Sequence, residues 1–115
     1  MLFTVKKENI IEGLQKAAGI IPTRAGAAYL RSLWIKAEGE LTIMATDANI
    51  EFTGTYPADV KEPGLVGVNG RNFVDLVRRL PAGELRIRLD DATGTVILEQ
   101  GRRTYKLPAN DPTWF

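Results

Sequence analysis

The sequence contains no cysteine, no histidine and a single serine, Ser32. Without cysteine there is no disulfide framework, no thiolate nucleophile and no sulfur-ligated zinc. Without histidine, the commonest general base and the commonest metal ligand are both missing, and Ser32 has no imidazole to activate it. An excess of one charge is lacking too. Fifteen Lys and Arg stand against 14 Asp and Glu, a formal net charge of +1, so the strongly basic balance of many nucleic-acid-binding domains is absent. The N-terminus has no apolar run suited to a signal peptide. No segment approaches the roughly 18 apolar residues of a membrane span, so no membrane partner is expected. The missing cysteines are compatible with a reducing cytoplasm. Carboxylate chemistry, lysine chemistry or no chemistry at all remains.

What is present is ordinary for a globular domain: 115 residues, 44% apolar and 25% charged, enough for one domain with its own core. Leu2 to Val5 is short, apolar and β-prone. Ile10, Ile11, Leu14, Ala17 and Ala18 recur at helical spacing, and Gly19 stops the run. Residues 20–28, with Pro22, Thr23 and Gly26, read as a loop. Tyr29 to Ala37 suits a strand, Glu38-Gly39-Glu40 a hairpin turn, and Leu41–Thr46 and Ile50–Tyr56 two further strands. Pro57 to Gly64 reads as a polar loop and Leu65 to Val68 as a strand. A second helix is expected over Arg71–Leu80, with Asn69 as its N-cap. Phe73, Leu76, Val77 and Leu80 form its apolar stripe, and Pro81 and Gly83 end it. Strands at Leu85–Leu89, Thr95–Leu98 and Arg103–Leu107 finish the chain.

The element order is therefore β-α-β-β-β, repeated. The halves also match at a spacing of 63 residues: Val5 meets Val68, Asn9 meets Asn72, Ile10-Ile11 meets Phe73-Val74, and Lys16 meets Arg79. This predicts an α+β fold built by internal duplication, in which two helix stripes and two sheet faces close one core.

The outward helix faces are the candidate functional surface. Arg71, Asp75, Arg78 and Arg79 point away from the second helix's stripe, and Lys7, Gln15 and Lys16 occupy the corresponding side of the first. Such a face is commonly just solvated. Arg and Lys side chains can equally hold phosphate oxygens without reading bases. Asp90-Asp91 and Thr46-Asp47 suit turns that cap their own backbone better than a metal pair. Gly64, Gly67 and Gly70 do not make a phosphate-cradling fingerprint. Arg86 and Arg88 alternate with apolar residues on an exposed sheet face. The strand around Arg102, Arg103 and Thr104 reads as a charged edge, which either blocks aggregation or receives a partner strand.

Several segments, in order, resemble the first domain of the bacterial DNA sliding clamp family, the beta subunit of DNA polymerase III. They are Met1–Val5 with Asn9–Gln15, Leu41–Asp47 (Leu-Thr-Ile-Met-Ala-Thr-Asp), Val68–Phe73, Leu80-Pro81 and Thr104–Pro108. The resemblance covers essentially the whole chain. It implies the clamp fold with duplicated β-α-β-β-β halves, a single first domain of a three-domain chain, and a non-catalytic processivity module without cofactor or metal. It further implies a cytoplasmic ring around duplex DNA, closed by a second protomer's third domain. Polymerase and clamp loader would dock on domains not present here. On this resemblance Arg24, Arg71 and Arg78 face DNA, and Arg79, Lys16, Gln15 and Lys7 extend that surface. Asn72, Leu76, Arg102, Arg103 and Thr104 would meet the partner protomer. The segment after Arg24, Ala25-Gly26-Ala27-Ala28, departs from the family's proline-rich loop, and Asn72 replaces a commonly basic residue. Trp114-Phe115 at the end of the chain suggests an interruption near a domain linker. Two other readings stay open: an assembly domain with no appreciable DNA binding when isolated, and an enzyme using Asp47, Asp90 and Asp91.

Overall fold

A strand, β1 (Leu2–Lys6), runs directly into a helix, α1 (Lys7–Ile20). The strand alternates, burying Phe3 and Val5. The helix buries Ile10, Gly13, Leu14 and Ala17, the same i, i+4, i+7 spacing the sequence carries. It passes Gly19 by one residue, and the Ile21 N–H closes it on the Ala17 carbonyl at 3.2 Å. The computed structural model describes residues 1–22 and 28–114. Of the loop expected at 20–28, Ile20 ends the helix instead, and residues 23–27, Arg24 among them, lie outside the described residues.

A 3-10 turn, Ala28–Arg31, leads into β2 (Ser32–Glu38), so Tyr29 belongs to the turn and the expected strand begins at Ser32. Hairpins then join β3 (Glu40–Thr46) and β4 (Glu51–Tyr56). Gly39 supplies the first turn with φ 72°, a left-handed conformation that glycine adopts without penalty. The expected loop at 57–64 contains a short strand, β5 (Asp59–Glu62). It was illegible because it is an edge strand with one apolar residue, Val60, packed on the core, and backbone pairing to β1 does the rest. Then follow β6 (Gly64–Asn69), α2 (Gly70–Arg79), β7 (Glu84–Asp90), β8 (Thr95–Gln100) and β9 (Arg103–Pro108).

The strands form two antiparallel sheets, ordered β5-β1-β7-β8-β9 and β4-β3-β2-β6. Each half therefore lends its first strand to the other half's three-stranded meander. This interlock is the physical form of the duplication. Neither half can separate without breaking a sheet. The offset of 63 holds from Lys7 to Gly70 but becomes 52 from Ser32 to Glu84. The difference lies in the helices, 14 residues for α1 against 10 for α2, and in the links that follow them, residues 21–31 in the first half against 80–83 in the second. One continuous core joins Phe3, Leu14, Leu33, Ile43, Phe73, Leu85 and Leu98 from both sheets and both helices.

On α2 the buried residues are Phe73, Val74 and Val77, with Leu80 just beyond. Leu76, expected in the stripe, is half-buried at its margin and Val74 takes its place. At about 100° per residue, the buried arc is centred between Phe73 and Val74, and Leu76 falls at its edge. The expected N-cap is in place: Asn69 Oδ1 accepts from the Asn72 N–H at 3.0 Å.

Candidate nucleic-acid interface

The two helices run antiparallel, side by side. The Arg71 guanidinium, at the start of α2, donates to the Ile21 carbonyl at the end of α1, at 3.2 Å. At the other end, the Lys7 N–H at the start of α1 donates to the Gly83 carbonyl at 2.9 Å, just past the end of α2. Both helices leave a polar side in solvent. On α1 it carries Glu8, Asn9, Glu12, Gln15 and Lys16, and on α2 Arg71, Asn72, Asp75, Arg78 and Arg79.

The positive charge is concentrated on α2, where three arginines face only Asp75. Arg78 Nη2 meets Asp75 Oδ1 at 3.3 Å, an exposed pair one turn apart. On α1, Lys16 is paired with Glu12 at 3.2 Å, and Glu8 adds a second carboxylate. Exposed i, i+3 and i, i+4 pairs of this kind contribute only about 0.3–0.5 kcal/mol, so both cations can exchange partners readily. Arg71 and Arg78 lie two turns apart on one crest, roughly 10 Å along the axis. Arg79 is turned about 100° from Arg78, toward the flank of Asn72 and Leu76. The corresponding flank of α1, with Asn9, Gly13 and Lys16, lines an open groove with Phe52 and Tyr56 of β4. The helix can come this close to β4 because residue 13 is glycine: a Cβ there would stand 1.9 Å from the Tyr56 hydroxyl.

The expected DNA-facing residues therefore divide. Arg71, Arg78 and Gln15 crown the helix pair, while Lys16 and Arg79 lie on its outer flanks. Lys7 is half-buried, and its ammonium donates to the Arg78 carbonyl at 3.0 Å and to the Leu80 carbonyl. Of the residues expected at a protomer interface, Asn72 and Leu76 share the outer flank of α2. Arg102, Arg103 and Thr104 are exposed where β9, an outer strand of its sheet, begins.

Sequence reasoning missed the joint beneath these residues. The Glu8 carboxylate accepts from the Gly83 N–H at 2.7 Å. That bond, helped by Glu8's own N–H and by Lys6 and Lys7, holds its carboxyl below the usual glutamate range. The one available signal was Lys7 itself, a cation in the first turn of its own helix, where the macrodipole disfavours it.

Two of the three carboxylates weighed as catalytic, Asp47 and Asp90, are used by turns. Asp47 accepts from the N–H groups of Asn49 and Ile50 at 2.8 and 2.7 Å, which lowers its pKa, the Ile50 bond most. Asp90 accepts from the Ala92 N–H at 3.1 Å. Among the described residues, no group of three or more His, Cys, Asp or Glu could hold a metal ion. No helix there is long and apolar enough to cross a membrane.

Comparison with known proteins agrees with this architecture. The family model for the DNA polymerase III beta subunit N-terminal domain matches residues 1–113. The beta sliding clamp of Streptomyces coelicolor is 31% identical over 113 residues, which is 96% of this chain and 30% of that protein. The crystal structure of the DNA polymerase III subunit beta from Pseudomonas aeruginosa superposes with a TM-score of 0.92 at 26% identity. That match covers 100% of this chain and 31% of that one. The Caulobacter crescentus DNA polymerase sliding clamp shares the fold, with a TM-score of 0.93 at 21% identity over 98% of this chain and 31% of its own. The chain thus spans less than a third of the length of these relatives. With two helices backed by interlocked antiparallel sheets and a match over nearly every residue, the chain belongs to the family of the DNA polymerase III beta subunit, over its N-terminal domain.

Proposed function

We propose that this domain is one arc of a non-catalytic ring that encircles duplex DNA and makes the replicative polymerase processive. The observation that carries this reading is the arginine-bearing crest of α2, rigidly backed by the sheets, in a chain of this family. Arginines at fixed spacing on a helix suit phosphates of any sequence, which is what a sliding contact requires. The dimensions agree. The domain measures 37 × 30 × 25 Å, comparable to the duplex itself, so it can flank DNA and cannot surround it. Closure of the ring would need a second protomer, docked through its third domain on Asn72, Leu76, Arg102, Arg103 and Thr104. The duplication supports that choice, because it carries the Asn9, Gly13 and Lys16 flank of α1, which lines a groove with β4, onto the Asn72, Leu76 and Arg79 flank of α2. Polymerase and clamp loader would bind elsewhere on the full-length protein, in the cytoplasm.

The test is duplex binding as a function of salt for the wild type and for Arg24→Ala, Arg71→Ala, Arg78→Ala and Arg79→Ala. Each phosphate contact removed should reduce the slope of log K against log salt by about 0.9. Unchanged affinity and slope for all four would sink the DNA-facing assignment. The exposed outer strand β9 favours a second reading, an assembly domain with little DNA affinity of its own. Sedimentation with the family's third domain distinguishes it: a complex without measurable duplex binding would favour assembly alone.

A further inference from the structure

We infer that Lys7 is a positioning residue that fixes the arginine-bearing end of α2, and that it does not itself contact phosphate. Four bonds hold the start of α1 against the end of α2. The Lys7 ammonium takes the Arg78 and Leu80 carbonyls, the Lys7 N–H takes the Gly83 carbonyl, and the Glu8 carboxylate takes the Gly83 N–H. The last carbonyls of a helix have no intrahelical partner and carry its negative end. A cation is favoured there by the same dipole that disfavours it at the start of its own helix. Among the described residues, the last turn of α2 has no other side-chain donor on these carbonyls, since Arg78 turns back to Asp75. Arg71 makes the corresponding tie at the opposite end, to Ile21. The helix that carries the arginines is thus pinned at both ends to α1. Two of the three Lys7 donors are committed to that task.

The inference rests on the DNA reading only for what the positioning serves. The structural part is read without DNA, by hydrogen exchange of the amides over residues 76–83. Lys7→Met should speed their exchange by roughly two- to fivefold, and Lys7→Arg should restore protection. The exposed neighbour is the control: Lys6→Met should change nothing. In duplex binding against salt, Lys7→Met should weaken affinity with the slope unchanged, whereas Arg78→Ala should reduce the slope by about 0.9. Unchanged exchange in Lys7→Met, or a reduced salt slope, overturns the inference. If the wild type binds no duplex at all, the DNA reading falls, and the exchange measurement still decides the role of Lys7.

Discussion

Gly67 shows how much one missing side chain can matter. Trp34 lies on the face of its sheet away from the main core, covered by Tyr29 with ring centroids 6.0 Å apart. It is 1% exposed. A Cβ on Gly67 would stand 2.5 Å from the indole ring. Gly67→Ala should therefore cost about 1–3 kcal/mol through overpacking, seen as a lower urea midpoint. An unchanged midpoint would mean that the ring moves aside freely. Such contacts are invisible to pattern reading because Trp34 and Gly67 meet only through sheet pairing. Lys7 is the same case in polar form, since its acceptors lie 71 and 73 residues away. Asn69 is the opposite case: its acceptor role spans three residues, so sequence alone could place it.

At the scale of elements, α2 matters most, because it carries the arginines. Its cap is a local device with a measurable worth. Asn69→Ala should destabilise the domain by about 1 kcal/mol and raise exchange in the first turn, where Arg71 sits. Stability within a few tenths of a kcal/mol of wild type would show that the Arg71 tie to Ile21 suffices. Helices were legible because their apolar spacing persists over several turns. The short strand β5 was not, because its evidence in sequence is one half-buried valine between charged neighbours. The choice of Val74 over Leu76 for the buried arc was equally out of reach. Both are apolar and near the stripe, and the neighbouring α1 decides which one is covered.

For the whole molecule, the missing histidines shape the response to pH. Glu8, Asp47 and Asp111 are each held below the ordinary carboxylate range by backbone N–H groups, of Gly83, Ile50 and Thr113 respectively. Their folded pKa values lie below the unfolded ones, so in that window the unfolded chain binds more protons. Their stabilisation is complete above the unfolded values and is lost as pH falls through the folded ones. The urea midpoint should be level from about pH 5.5 to 7, where no side chain of ordinary pKa titrates, and should decline below roughly pH 4. A midpoint that shifts between pH 6 and 7 would contradict this. The duplication was legible as a repeated element order, and the offset of 63 held over the first strand and helix of each half. The exchange of first strands between sheets was not, because strand order depends on pairing between residues far apart in the chain. Sequence by itself determined the helices, the cap, the turns and the exclusion of cysteine and histidine chemistry, since each depends on residue type or on neighbours within a few positions. Tertiary structure alone decided that Arg71 is tied to the end of α1, that Lys7 is committed to the carbonyls at the end of α2, and that two half-domains interlock into one core. Those outcomes follow from antiparallel packing of helices some sixty residues apart, which no local pattern encodes.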